Sequence, residues 1–172
     1  SVICARACMM VKDAKGKTAR GWGETPLRVQ WAWPSAAPYG DRCDAMQLFC
    51  RMLAEAWAKF DRQGHPIELG SAFIESVLPG LVARLNKQRG DKAEPMPWLA
   101  ALVCCSAFDI ALHDAYGCLL ERDIYTTYDA EFMNTDLAGL IEPAEGSNAS
   151  FAGKYPADFL EFPVPKALPA WH

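Results

Sequence analysis

Asp109 and His113 are the residues of this 172-residue chain whose types and spacing come nearest to acid–base chemistry. They lie four apart in a stretch with helical character, and positions i and i+4 share a helix face, so carboxylate and imidazole can pair. Such a pair becomes catalytic when a nucleophile stands beside it, and the spacing places no Ser or Cys in that role. The expectation is therefore a structural tie. Seven cysteines are the other reactive groups. Cys4 and Cys8 sit on a strand-like segment, and Cys104 and Cys105 are adjacent on a helical one. No C-x-x-C spacing occurs, so neither a zinc site nor a dithiol motif is indicated. Reduced, packed thiols are expected, which fits a cytoplasmic location. Gly21-Trp22-Gly23 lacks the third glycine and the following helix of a dinucleotide fingerprint, and no Walker pattern is present. Asn148-Ala149-Ser150 matches a glycosylation sequon, with no other secretory feature beside it.

These residues need elements to hold them. Residues 2–12 are apolar without a helical period, Lys12 to Lys17 is a polar turn with a glycine, and Thr18 to Glu24 returns as a second strand. Residues 25–41 read as a long loop with Pro26, Pro34 and Pro38, carrying Trp31, Trp33 and Tyr39. Loops run over surfaces, so these rings either pin the loop to the core or face a ligand or partner. A first long helix is expected from Asp41, as N-cap, to Phe60, with Met46, Phe49, Leu53, Ala56, Trp57 and Phe60 on one face. Gly64 and Pro66 end it. A second helix spans about Ser71 to Lys87, with Phe73, Val77, Leu81 and Leu85 inward and a break at Pro79. A third runs from about Pro97 to Leu120. There Leu99, Leu102, Val103, Ser106, Ala107, Ile110 and Asp114 form a stripe, and Ala100, Ala101, Ser106, Ala107, Ala111, Ala115 and Gly117 let another element come close. Beyond Leu120 periodicity fades, apart from a short helix near Asp136 to Ile141. No internal repeat is visible.

Composition sets outer bounds. With 51% hydrophobic and 22% charged residues the chain reads as an ordinary globular protein. A net charge of -4 and a pI near 5.4 argue against nucleic-acid binding. The apolar run from Pro95 to Phe108 is too short for the ~20 residues of a bilayer span, so no membrane association is expected.

A hairpin ending in Gly21-Trp22-Gly23-Glu24-Thr25-Pro26-Leu27, then helices, then Ser106-Ala107-Phe108-Asp109-Ile110-Ala111-Leu112-His113-Asp114-Ala115 with Gly117 two residues on, resembles the enolase superfamily. The mandelate racemase and muconate lactonising enzymes are the nearest group. The likeness covers about residues 1–128. The chain departs from the pattern at Cys118, where Lys is usual, at Glu121, where Gly is usual, and at Asp123, where Pro is usual before the Ile124-Tyr125 pair.

The resemblance implies an α+β fold: an N-terminal β-hairpin followed by a three-helix bundle, as in the capping domain of those enzymes. It also implies an organisation of capping domain (1–128), linker (129–163) and the start of a truncated (β/α) barrel (164–172). The implied chemistry is proton abstraction alpha to a carboxylate, assisted by Mg²⁺ bound by Asp and Glu on barrel strands that this chain lacks. No catalytic or metal-binding residue is therefore expected here. Thr25, Pro26, Leu27, Trp31, Trp33 and Tyr39 are implied as a capping loop that touches a small carboxylate substrate or excludes water. The partners implied are the protein's own C-terminal barrel and further copies of itself, in a homo-oligomer. The lid so implied leaves Trp31 and the Ser106-to-Gly117 face uncovered. A different reading, a stand-alone interaction module binding through Trp31, Trp33 and Tyr39, rests on the aromatic loop and on the small-residue helix face, both of which want a neighbour.

Overall fold

A computed structural model describes residues 2–161 and 167. The chain divides into two compact units, Ser1–Arg122 and Asp123–His172. The sequence reading had placed its boundary after residue 128.

The first unit begins with an antiparallel hairpin, β1 (Cys4–Lys12) and β2 (Thr18–Pro26), in the register Cys4↔Pro26 through Lys12↔Thr18. Asp13 shapes the turn by accepting from the amides of Lys15 and Lys17 at 2.9 and 2.8 Å. Gly16 takes the left-handed conformation there, φ +88°. Side chains alternate across the sheet, as a period of two demands. Ala5, Ala7, Met9 and Val11 turn inward with Gly21 and Gly23, while Arg6, Cys8, Met10 and Trp22 turn outward.

Five helices follow: α1 (Val29–Ala32), α2 (Tyr39–Trp57), α3 (Pro66–Ser76), α4 (Leu78–Arg89) and α5 (Trp98–Leu120). The coarse expectation of a hairpin followed by helices holds. Four details do not. The loop of residues 25–41 contains α1, because Leu27, Val29, Ala32 and Trp33 find the core within one turn. α2 begins at Tyr39, with Pro38 as its N-cap residue and Asp41 in its first turn, so Asp41 does not cap it. Pro66 starts α3 instead of closing α2. His65 Nδ1 accepts from the amide of Ile67 at 3.3 Å, and Glu68 Oε2 accepts from the amide of His65 at 3.0 Å. This is a reciprocal capping box with histidine in the serine position. The break expected at Pro79 is present: α3 and α4 part at Val77 with a bend of 42°.

The stripe read on α5 is the fourth correction. Leu99, Ile110 and Asp114 are exposed. The buried positions are Ala100, Ala101, Cys104, Cys105, Ala107, Phe108, Ala111, Leu112, Ala115, Gly117 and Leu119, more than one helical face. α5 is thus the central helix, covered by the hairpin on one side and by α2 and α3 on another. Its length and apolar character, with mean hydropathy 1.4 over its best window, are enough to cross a bilayer. That corrects the reading of this region as too short. Half of that window is buried inside the unit, and the core helix of a packed domain passes the same test.

Trp57, Phe60 and Phe73 close the bundle where α2 meets α3. Trp57 stacks on Phe73 at 4.0 Å, and Phe60 meets both rings edge-on. Aromatic pairs at such distances contribute ~0.5–1.5 kcal/mol beyond their buried area.

The second unit is built of turns. Asp123 caps a 3-10 turn at Ile124–Thr127 and Asp136 caps another at Leu137–Gly139, where a short helix was expected. The free oxygen of Asp136 accepts from the amide of Gly153 at 2.7 Å, and the Leu137 amide donates to Lys154 O at 2.8 Å. A third 3-10 turn, Pro156–Phe159, is held by the amide of Ala157 donating to Tyr128 O. The expected barrel start at 164–172 lies outside the described residues, apart from Ala167.

Candidate functional site

The two sequence runs singled out above meet in space. β2 lies so close to α5 that no side chain fits between them. A Cβ on Gly21 would stand 2.6 Å from Ala115 Cα and overlap the backbone of Ala111 and Ala115. One on Gly23 would overlap Ala107 O and stand 2.7 Å from Ala111 N. Glycine on the strand and alanine every fourth residue on the helix are therefore complementary halves of one contact. Polar bonds flank it: Asp114 Oδ2 accepts from the Trp22 amide at 2.7 Å, and Thr25 and Ser106 share a hydroxyl hydrogen bond at 2.8 Å. Lys17 Nζ reaches Glu121 Oε1 at 2.7 Å at the far end. The small-residue face of α5, expected to be open, is filled by the chain's own hairpin.

The candidate loop residues separate into two groups. Leu27 and Trp33, at 2% and 1% exposure, belong to the core and not to a substrate-facing surface. Trp33 is locked on every side. Its indole N–H donates to Glu94 Oε1 at 3.3 Å, Arg89 lies over its ring, and buried Arg42 donates to its carbonyl. Trp31, on the opposite side of the same helical turn, is 64% exposed, and Tyr39 is 45% exposed at the start of α2. Pro26 is exposed at the end of β2, and Thr25 is half-buried against Ser106. The surface candidates are therefore Thr25, Pro26, Trp31 and Tyr39, supported from beneath by Leu27 and Trp33.

Asp109 and His113 do pair. His113 Nδ1 stands 2.9 Å from Asp109 O and 3.7 Å from its carboxylate. Asp109 forms the edge of a small cleft of about 140 Å³ bounded by Trp57, Gly70, Ile74, Leu102, Cys105 and Ser106. Burial against these walls pushes the Asp109 carboxyl up, and His113 partly offsets that. The Ser106 hydroxyl is engaged with Thr25 and donates to Val103 O, so it is not positioned as a nucleophile. Burial, reinforced by Asp109, pushes the Cys105 thiol up to about 12, which keeps it protonated and unreactive. The pair acts as a tie.

The sequence reading passed over His65, which is buried with its ring edge-on to Tyr116 at 5.2 Å and to His113 at 6.5 Å. The signal was available. A residue before proline with glutamate three positions on is a helix-start pattern, and only the histidine disguised it. Among the described residues no group of three or more His, Cys, Asp or Glu side chains converges as a metal site.

Compared with protein-family models, with curated proteins and with solved structures, the chain matches none.

Proposed function

We propose that the first unit is the capping domain of a Mg²⁺-dependent enzyme of the enolase superfamily, in the mandelate racemase and muconate lactonising group. The enzyme would be a racemase or epimerase, a dehydratase or a cycloisomerase acting alpha to the carboxylate of a small acid. What supports this reading is the seam between Gly21–Gly23 and Ala107–Ala115, although it fills the helix face that the implied lid leaves uncovered and leaves only Trp31 open. The two runs on which the resemblance rests are far apart in sequence, and they are the same residues that require each other in space.

In this reading the seam is the rigid base of the cap, and the segment leaving it displays Thr25, Pro26, Trp31 and Tyr39 to a substrate. A cap of this kind contributes specificity and excludes water, which strengthens every charge contact inside the closed site. The Mg²⁺ ligands and the base belong to the barrel partner. Among the described residues no cluster of carboxylates fits that ion.

The decisive experiment is to extend the reading frame beyond His172. A continuation encoding barrel strands with lysines, followed by Asp and Glu on successive strands, is expected; a frame that stops at His172 removes the enzyme reading. In the longer protein, Trp31→Ala should change kcat/KM unequally across a panel of carboxylate substrates and leave Mg²⁺ affinity unchanged. For the 172-residue chain alone, no turnover is expected, and micromolar Mg²⁺ affinity by calorimetry would contradict the proposal.

The exposure of Trp31 also favours a second reading, an interaction module that binds a protein through this ring. In that case Trp31→Ala abolishes capture of the partner and has no effect on any substrate preference.

A further inference from the structure

The cleft of about 140 Å³ lies where α2, α3 and α5 meet, and it has room for a molecule. An apolar cavity of about 150 Å³ is large enough to take up benzene. Here the apolar walls are Trp57, Ile74, Leu102 and Cys105, and the half-exposed carboxyl of Asp109 stands at the mouth. Trp57 is 7% exposed, and its indole N–H is buried with no hydrogen-bond partner among the described residues. Stacking on Phe73 at 4.0 Å and the edge of Phe60 hold the ring, so the N–H cannot turn to find one. The Cys105 sulfur beside it is a weak acceptor. We propose that this cleft binds a small neutral ring compound bearing a hydroxyl, a simple phenol, whose oxygen accepts from the Trp57 indole N–H and donates to the Asp109 carboxylate.

The two polar groups are within reach of one ligand. Both border the same small space, and Asp109 follows Cys105 by one turn on the same face of α5. The contact of Asp109 with His113 is 3.7 Å, too long for a strong hydrogen bond, so the carboxyl retains accepting capacity. Gly70 on α3 makes the space for it: a Cβ there would stand 2.9 Å from Asp109 Oδ1. The Ser106 hydroxyl, also on the wall, is committed to Thr25 and to Val103 O and does not compete.

The donor and acceptor together select the chemical class. A hydrocarbon of the same size fills the apolar walls but leaves the indole N–H unmet and strips water from the carboxyl. An ammonium can only donate, so it serves Asp109 and leaves Trp57 without an acceptor. A carboxylate ligand would accept from Trp57, yet it meets the Asp109 carboxyl, and no Lys or Arg lines the cleft to hold it. A hydroxyl both accepts and donates, and a single aromatic ring matches the volume.

The test titrates the nitrogen-15-labelled 172-residue chain with phenol at neutral pH and follows the indole N–H resonance of Trp57, assigned by its loss in Trp57→Phe. A saturable shift is expected, with a Kd of about 1 mM or tighter. Benzene, benzylamine and benzoate should each bind at least about tenfold more weakly. Trp57→Phe keeps the ring stack and removes the donor, while Asp109→Ala removes the acceptor. In each variant, phenol and benzene should bind within about twofold of one another. Gly70→Ala displaces the carboxyl and should weaken phenol about tenfold while leaving benzene unchanged. Should Trp57→Phe fold poorly by circular dichroism, Asp109→Ala and Gly70→Ala carry the result, since both act at the mouth. The proposal is overturned if phenol leaves the Trp57 resonance unmoved, as it would where a cavity water holds that N–H and is not displaced. It is equally overturned if benzene, benzylamine or benzoate binds as tightly as phenol, or if the preference for phenol over benzene survives in Asp109→Ala.

Discussion

Tryptophans 31 and 33 carry the plainest contrast at the level of single side chains. They are two residues apart and were read together, yet a helical turn sends them to opposite sides. Trp33→Ala should cost about 3–5 kcal/mol in chemical denaturation, because it empties a filled core site. Trp31→Ala should fall within about 0.5 kcal/mol of wild type. Glu121 is the only non-glycine residue with positive φ among those described, at 56°, and it caps the C-terminus of α5. This is a position where the resembled pattern has glycine. Glu121→Gly should therefore raise the melting temperature despite the loss of the exposed Lys17 pair. Asp109 has its carboxyl pushed up by burial, so the folded state holds that proton more tightly than the unfolded chain does. Stability from this group is present below the ordinary carboxylate pKa and is lost as pH rises through the raised folded value. Asp109→Asn should then match wild type in acid and melt about 1–2 °C higher at neutral pH, a small gain because the side chain is half exposed. Equal melting temperatures across the whole range would show that His113 cancels the effect of burial.

Among the elements, the seam of β2 on α5 makes the strongest prediction. Gly21→Ala or Gly23→Ala should destabilise the unit by about 3 kcal/mol or more, since the clash is with helix backbone that cannot rotate away. Gly80→Ala, where nothing lies within 4 Å of the new methyl, serves as the control and should be neutral or slightly stabilising. The elements legible in the sequence were those written in periodicity or punctuation. The hairpin followed from its glycine turn, the long helices from three- and four-residue apolar steps, and the α3–α4 break from Pro79. What stayed hidden was whatever depends on contacts distant in the chain. α1 exists because Leu27 and Trp33 reach the core, and no local pattern announces a single turn inside a proline-rich loop. The buried face of α5 was misjudged because alanines and cysteines, together with Phe108, Leu112 and Leu119, are what other elements cover, while Leu99 and Ile110 stay exposed. Of the candidate site, the sequence located the loop but could not say which of its rings turn outward. That choice is made by the packing of Arg42, Arg89 and Glu94 around Trp33.

For the molecule as a whole, the polar bond that fastens strand to helix joins Trp22 to Asp114, 92 positions later. A two-stranded ribbon on its own is marginally stable in water. Ribosomes add about 5–20 residues per second, so the ribbon leaves the exit tunnel roughly 5–18 s before its supporting helix does. Throughout that interval Met9, Val11 and the bare glycines stand open, and the strands offer their edges to any neighbour. Translation speed over the intervening codons, and whatever shields nascent chains in the host, should therefore govern the yield of folded protein more strongly than the stability of the finished domain.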